Sequence, residues 1–327
     1  MNNRRRTSPG PFDRRAAMQA LLGAGLGATL ASGPAAVAAP APLAAASASA
    51  TAGPAAKGRA RTQSQGSLPR GGRWTSSFLA LDPVQTFRQA WRIQRSLEDE
   101  ADVLHWYHFI MIAVPLDATP KPVVRWEGIE LSRHQKIGPE RYRLHGHNLS
   151  FPRDLRSGEF VDAVINPVTK RSVGVPPMAL TGDPGMVRSP AGVISLDKAS
   201  AAPRPDYKVL RREGGFVKVD AIRVPPDTWP VTFLETGYES SPAALFDDPS
   251  QLWLPSDVSG AYVFPYPKWM EMGDAPGHMF ATWSGYKLRS IDELPEEFRR
   301  RAERDFPRLL QVDRAAFARP IPDLHPG

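Results

Sequence analysis

The sequence predicts a mainly β protein with a minor α+β character: a curled antiparallel sheet or barrel with flanking N- and C-terminal helices. Three observations support this fold class. Apolar runs of strand length recur about every ten residues, with Pro, Gly, Asn or Asp between them. No interval between these runs reads as a crossover helix, which favours antiparallel pairing. The run 103–114 is apolar on both faces, as expected for a closed or half-closed sheet with a filled interior or for a sheet wrapped by helices. A two-sheet sandwich or a split α+β arrangement is the alternative.

The first 39 residues have the features of an export signal. Arg14 and Arg15 precede a weakly apolar Ala/Gly-rich run, 16–30, and small residues follow at Ala36-Val37-Ala38. This pattern is typical of a twin-arginine signal peptide, so we expect a periplasmic or secreted protein whose partner is the twin-arginine export machinery. A membrane anchor and a disordered arginine-rich tail are the alternative interpretations. Because Gln19 and several glycines interrupt the run, we expect no stable membrane anchor.

The formal net charge of +7 is concentrated ahead of the predicted domain. Residues 1–39 contain five arginines and one aspartate, and residues 40–73 contain five cations and no acidic residue, which leaves −2 for residues 74–327. The polar, Ala/Ser/Gly-rich composition of 40–73 predicts a disordered linker. We therefore expect a single β-rich domain at 74–327, and its near-neutral charge argues against a nucleic-acid partner.

The elements of this domain follow from local signals. A first helix is expected after Asp82 as N-cap and Pro83 at the first helical position, with apolar residues on one side as far as Leu97. A capping-box spacing between Ser290 and Glu293 predicts the start of the last helix. Strands are expected at 103–114, 123–131, 141–149, 160–165, 172–175, 216–224, 231–236, 261–264 and 278–288, and an irregular excursion at 176–214.

The chain contains no cysteine, so disulfides, thiolate metal sites and cysteine nucleophiles are excluded. Any catalysis must use oxygen and imidazole groups. Glu235 lies in an apolar run, where burial would raise the pKa of a carboxyl and suit it to acid/base chemistry. We expect it to act with one of His145, His147 or His278, although pairing with an arginine would explain a buried Glu235 equally well.

The His145-Gly146-His147 segment allows a second interpretation. On a strand, both imidazoles point to one face, where with a carboxylate they could hold zinc or non-haem iron. The segment lacks the spacing of the helical His-Glu-x-x-His signature, and no second cluster lies nearby in sequence. We therefore predict no metal site and assign no cofactor, and keep a metal-dependent hydrolase or lyase as an alternative.

Aromatic residues are concentrated between Trp253 and Tyr286, where prolines separate them. Aromatic side chains on such segments can line a pocket for a bulky apolar or aromatic small molecule, although structural filling is their more common use. Glu127 lies beside a Trp and a Gly and could face the same pocket, or it could be a surface residue on the face of Arg125. The predicted ligand-binding residues are Trp106, Trp126, Glu127, Tyr262, Trp269, Trp283 and Tyr286.

Several segments carry a family resemblance. They include Asn166-Pro167-Val168-Thr169, Val175-Pro176-Pro177-Met178, Thr181-Gly182-Asp183-Pro184-Gly185, Trp269-Met270-Glu271-Met272-Gly273 and Gly277-His278-Met279-Phe280-Ala281-Thr282-Trp283. The chain resembles, roughly from 82 to 298, a bacterial exported family catalogued as domain of unknown function 1838. The resemblance implies one fold unit and an exported protein, and it implies no reaction.

These observations predict an exported protein with an aromatic-lined cavity. The cavity is expected to bind a bulky apolar or aromatic small molecule and to offer acid/base groups that could transform it. The metal-dependent enzyme is one alternative. A non-catalytic envelope protein that binds a partner through exposed aromatic residues is the other.

Overall fold

The computed structural model describes residues 75–181, 186–195, 206–223, 234–312 and 314–318. The predicted signal peptide, 1–39, and the predicted linker, 40–73, lie outside the described residues. Strands make up 50% of the structure and helices 19%, which confirms the prediction of a mainly β fold.

The chain forms fourteen strands and three α-helices in its described part. The strands are β1 (Ser76–Phe78), β2 (Asp102–Pro115), β3 (Lys121–Gly138), β4 (Arg141–Arg153), β5 (Ala163–Ile165), β6 (Ser172–Gly174), β7 (Met178–Thr181), β8 (Met186–Ser189), β9 (Gly192–Ser195), β10 (Tyr207–Glu213), β11 (Phe216–Arg223), β12 (Leu234–Pro242), β13 (Asp257–Phe264) and β14 (Gly277–Leu288). The helices are α1 (Pro83–Gln94), α2 (Ala243–Phe246) and α3 (Glu296–Asp305), with 3-10 turns at Lys268–Met270, Ile291–Glu293, Pro307–Leu310 and Arg314–Ala318.

Twelve of these strands form one antiparallel sheet, in the order β1-β10-β11-β12-β13-β14-β2-β3-β4-β8-β9, with β7 also paired to β4. The remaining two, β5 and β6, form a separate hairpin joined by a turn at 166–170. The long strand β2 is central because β14 pairs with it on one side and β3 on the other. The last strand of the domain, β14, is therefore paired with a strand near its beginning, β2.

Side chains alternate between two faces of the sheet, which we call the inner and the outer face. The inner face contacts α1, as at β4, where Tyr142 and Leu144 pack against Phe87 and Trp91. The outer face of β2, β3 and β4 packs against α3 and the turns after it. Trp106, on the outer face of β2, meets the ring of Phe298 edge-on at 4.8 Å. Both faces of β2 are covered over part of its length, as the sequence predicted.

The sheet curls tightly around α1. One side of this helix packs through Ala90 and Ile93 against β10 and β11, and another side stacks Trp91 on Tyr142 of β4 with ring centroids 5.0 Å apart. In the sheet order, β11 and β4 are six positions apart, which would be roughly 29 Å in a flat sheet. A helix is only about 10–12 Å wide including its side chains. The inner face is therefore concave.

Ion pairs bring strands from distant parts of the ladder together. Asp206, just before β10, accepts from Arg188 of β8 at 3.2 Å and from Lys208 of β10 at 2.8 Å. In the sheet order β8 and β10 are eight positions apart, and no backbone ladder joins them within the described residues. The sheet is thus a curled, open one whose gap is bridged by side chains.

Glycines on the inner face permit the close approach of neighbouring strands. A Cβ added at Gly285 of β14 would lie 2.0 Å from the carbonyl oxygen of Trp106 on β2. One added at Gly260 of β13 would lie 2.1 Å from the carbonyl oxygen of Thr236 on β12. Side chains on a concave face converge as curvature increases, so residues without a Cβ are required where the strands are tightest.

The structure differs most clearly from the sequence prediction in two segments. The irregular excursion expected at 176–214 contains strands β7, β8, β9 and β10. The first three are short, and β10 carries charged residues on both faces. Their stability depends on neighbours distant in sequence, so local patterns did not reveal them. The capping box of Ser290 and Glu293 is present but caps the 3-10 turn Ile291–Glu293, and α3 begins only after Pro295.

The first helix begins at Pro83, as predicted. It ends at Gln94, three residues before Leu97, where its apolar pattern ends. Asp82 Oδ1 accepts from Gln85 N at 2.8 Å, and Gln85 Oε1 accepts from Asp82 N at 3.3 Å, which completes a capping box. The helix ends at Gln94, where Lys287 of β14 donates to the carbonyl oxygens of its last turn.

His134 gives the folded domain a specific sensitivity to acid. Its ring is fully buried between Trp91 and Tyr142, Nε2 donates to the carbonyl of Glu98 at 2.7 Å, and burial lowers its pKa to about 4. An unfolded histidine has a pKa of about 6.5, so between these values the unfolded chain binds a proton that the folded chain does not. Stability should fall as the pH falls from 6.5 to 4, by about 3 kcal/mol from this residue.

The measurement is the free energy of unfolding in urea at several pH values for the wild type and for His134→Gln, which retains an N–H donor. We expect the variant to lose less stability between pH 7 and pH 4.5. Equal losses in both proteins would contradict the assignment to His134.

Candidate functional site

The middle of the inner face combines aromatic and polar side chains with several glycines. Two successive rows cross it from β12 to β4, and glycine occupies two positions in each row. One row consists of Gly237, Gly260, Trp283, Phe109, Trp126 and Pro152, and the next of Glu239, Val258, Gly285, Tyr107, Gly128 and Ser150. We call the space above these two rows the inner cleft.

Solvent reaches the inner cleft but not the two packed regions beside it. Tyr107, Phe109, Tyr262 and Trp283 are only half-buried, as is Asn148 in the neighbouring row. On one side of the cleft, α1 packs against the sheet. On the other side, an apolar cluster seals the inner face, and its fully buried members include Met111, Ala113, Met270, Met279 and Ala281.

Four aromatic rings form one wall of the inner cleft. Trp283 lies over Gly260, with Cε2 only 2.6 Å from where a Cβ would stand, and it stacks on Tyr262 at 5.9 Å and 24°. Phe109 stacks on Trp126 at 5.7 Å and 6°. The indole N–H groups of Trp126 and Trp283 are buried and have no acceptor among the described residues. The wall therefore offers both apolar ring faces and two N–H donors.

Tyr107 supplies the main hydrogen-bonding group of the cleft. Its Oη lies 2.9 Å from Ser150 Oγ and donates to Asn148 Oδ1 at 3.3 Å, so Ser150 donates to Tyr107 in a consistent network. Burial raises the pKa of Tyr107 well above its usual value, and the nearby charge of Glu130 adds to this effect. Tyr107 is thus a neutral phenol that can donate or accept a hydrogen bond.

Arg95, just beyond α1, connects the cleft to a buried polar cluster. Its Nη2 donates to Glu130 Oε1 at 2.6 Å, and its Nη1 lies 3.3 Å from His105 Nδ1 and from Ser132 Oγ. A guanidinium can only donate, so Nδ1 of His105 accepts and the ring proton is on Nε2. The cluster holds a paired carboxylate and a neutral imidazole on the same face as Tyr107.

Lys287 fixes the end of α1 above the cleft. Its Nζ donates to the carbonyl oxygens of Arg92, Ile93 and Arg95 at 3.0, 2.7 and 2.8 Å. Burial lowers the pKa of Lys287, but three acceptors match the three N–H groups of an ammonium ion and Glu239 favours the charged form. We therefore treat Lys287 as charged, as expected for a cation at a helix C-terminus.

The structure brings four of the sequence-predicted site residues to the inner face. Glu235 of β12 is 7% exposed, lies across from Tyr262 and points to the same face as Gly237 in the inner cleft. Trp126, Tyr262 and Trp283 belong to the aromatic wall. One predicted carboxylate and three predicted aromatic residues thus share one surface.

The three predicted histidine partners of Glu235 lie on the outer face. His145 and His147 of β4 point away from α1, and His145 Nε2 accepts from Arg143 Nε at 3.2 Å and meets Phe317 edge-on. His278 is exposed at the start of β14. Glu235 and these histidines are therefore not brought together. Among the described residues, no group of three or more His, Asp or Glu side chains could hold a metal ion, so the metal alternative gains no support.

The other four predicted ligand-binding residues also lie outside the cleft. Trp106 packs under α3, and Trp269 belongs to the apolar cluster that seals the inner face. Glu127 is on the outer face, where it pairs with Arg153, and burial raises its pKa against the effect of that arginine. Tyr286 is 53% exposed on the outer face. Alternation along the strands explains the positions of Trp106, Glu127 and Tyr286, whereas Trp269 lies in the 3-10 turn Lys268–Met270.

Sequence reasoning did not assign several residues of the cleft to a site. Tyr107 and Phe109 were expected on one face of their strand, but nothing in sequence linked them to Glu235, Asn148 or Ser150. The signal that links them is the strand order, because β12, β14, β2 and β4 lie side by side only after folding.

No family model, curated protein or solved structure was found to match this chain. The described helices include none with the length and apolar character needed to cross a bilayer.

Proposed function

We propose that this protein binds a small organic molecule in the inner cleft. The ligand has a bulky apolar or aromatic body and at least one hydrogen-bonding group. Its body would lie against Trp283, Tyr262 and Phe109, and its polar group would reach Tyr107 and the unpaired indole N–H of Trp283. Ligand sites commonly combine an apolar lining with a few polar groups in this way.

One observation carries the proposal: the aromatic side chains Tyr107, Phe109, Tyr262 and Trp283 in the middle of the inner face are only half-buried, whereas the regions on either side are fully packed. Beside them, Gly237 leaves room for a side chain, since a Cβ there would meet no atom closer than Trp283 Cζ2 at 3.8 Å. The unpaired indole N–H groups of Trp126 and Trp283 support the same conclusion, because buried donors are normally paired.

The test uses N-phenyl-1-naphthylamine, a neutral aromatic probe whose fluorescence rises in an apolar site. We expect saturable binding to the full chain and a loss of affinity of roughly tenfold or more in Gly237→Val. A Cβ at Gly237 would lie 3.8 Å from Trp283 Cζ2, so the backbone tolerates it while the two γ-methyl groups extend into the cleft.

Thr236→Val is the matched control, because Thr236 precedes Gly237 and its side chain points to the outer face. Binding should be retained in this variant. Probe binding that is not saturable, or that is unaffected by Gly237→Val, would contradict the assignment of the inner cleft.

A second part of the proposal is that Glu235 acts on the bound molecule as an acid or base. Its buried position on the inner face and its neighbour Tyr262 support this role. If Glu235 is catalytic, the wild type should retain product and Glu235→Gln should retain unconverted substrate. The measurement is mass spectrometry of the small molecules released by denaturing each protein after expression in a bacterial host.

Glu127→Gln is the control for this experiment, since Glu127 lies on the outer face in an ion pair with Arg153. It should release the same molecule as the wild type. An identical molecule from the wild type and Glu235→Gln would remove Glu235 from the chemistry and leave a binding protein.

We also propose that the chain is exported through the twin-arginine route and belongs with the family of unknown function 1838. The arginine pair, the weakly apolar run and the motifs quoted above support this proposal. Replacement of Arg14 and Arg15 by lysine should keep the protein in the cytoplasm at its full mass of 35.9 kDa. Fractionation and intact-mass measurement test this, and periplasmic protein of reduced mass from the double variant would count against it.

A further inference from the structure

A groove between side chains lies on the outer face of the sheet, across β10 to β14. It encloses about 600 Å³. We call it the outer groove, and its central residues are Tyr238, Ser240, Asp257, Ser259 and Tyr286. The side chains of these residues point away from the inner cleft, because they occupy the alternate strand positions. The volume falls within the range of about 300–1,000 Å³ that is typical of small-molecule sites.

Two exposed tyrosines flank a floor of short polar side chains. Tyr238 is 47% exposed and Tyr286 53% exposed. The register places Ser259 beside Tyr238 and Asp257 between Ser240 and Tyr286. The two tyrosines are separated by two strand spacings across the sheet and by two residues along the strands. This corresponds to a distance of about 12 Å between their positions on the sheet. A ligand that touches both rings must therefore be longer than a single sugar ring.

The polar groups of the outer groove are available to a ligand. The hydroxyls of Tyr238, Tyr286, Ser240 and Ser259 and the carboxylate of Asp257 have no hydrogen-bond partner anywhere in the described part of the chain. Ser284 is engaged, since its Oγ lies 2.9 Å from His108 Nε2. Five unpaired groups, four of which can both donate and accept, match a ligand that is itself rich in hydroxyls.

The charges around the groove do not favour an anionic ligand. Arg211 pairs with Asp220 at 2.8 Å and with Glu213, and Lys218 pairs with Glu213 at 3.1 Å. The two cations are thus balanced by two carboxylates, and Asp257 adds a negative charge. Phosphates and acidic sugars would meet no free cation in the central groove.

From these observations we propose that the outer groove binds a neutral oligosaccharide. The C–H faces of two sugar rings stack on Tyr238 and Tyr286, and ring hydroxyls donate to Asp257 and exchange hydrogen bonds with Ser240 and Ser259. This site is independent of the inner cleft and lies on the opposite side of the sheet.

The experiment is isothermal titration of the full chain with maltohexaose, cellohexaose, laminarihexaose and chitohexaose. We expect saturable binding of at least one of these neutral hexasaccharides. Affinity should fall roughly tenfold in Tyr238→Ala and in Tyr286→Ala, because each variant removes one stacking surface. Both positions are exposed, so the unfolding temperature of each variant should stay close to that of the wild type.

Tyr207→Ala is the matched control, since Tyr207 is 59% exposed on the same outer face but outside the groove. Trp283→Ala tests the inner cleft separately and should leave saccharide binding unchanged. The proposal is overturned if none of the four saccharides binds saturably, if Tyr207→Ala weakens binding as much as the groove variants, or if a galacturonic acid hexamer binds more tightly than all four.

Discussion

The tight curl of the sheet around α1 is the constraint on which the rest of the structure depends. A single helix packs against strands that a flat sheet would hold far apart, and this is possible only if inner side chains do not collide. At Gly260 and Gly285, even a methyl group would meet the carbonyl oxygen of the next strand. The absence of a Cβ at Gly260 also lets Trp283 lie flat against the sheet, so the aromatic wall of the inner cleft is a consequence of how the sheet bends.

The polar cluster at the end of α1 links this curvature to the candidate site. Lys287 binds three carbonyl oxygens of the helix, and Arg95 joins Glu130, Ser132 and His105 of two neighbouring strands. Burying these groups is costly unless all are paired, so the helix end and the strands must keep a defined geometry. Tyr107 lies in the row beside this cluster.

The two faces of the sheet have separate chemical characters. The inner cleft combines stacked rings, a neutral phenol and a buried carboxylate, which suits an apolar or aromatic ligand with few polar groups. The outer groove presents exposed rings over hydroxyls and balanced charges, which suits a hydroxyl-rich neutral ligand. Because each strand contributes alternate residues to the two surfaces, neighbours such as Thr236 and Gly237 belong to different environments.

The sequence by itself determined the β-rich class, most strand positions, the start of α1 at Asp82 and the two-sided character of β2. These features depend on local signals: residue alternation, turn residues and capping side chains. It also indicated Glu235, Trp126, Tyr262 and Trp283 as site residues, but it grouped them with His145, His147 and Tyr286, which lie on the outer face. Only the tertiary structure decided which candidates lie close together. Strand order and the register of each strand against its neighbour depend on pairings between residues far apart in sequence, such as His108 and Ser284.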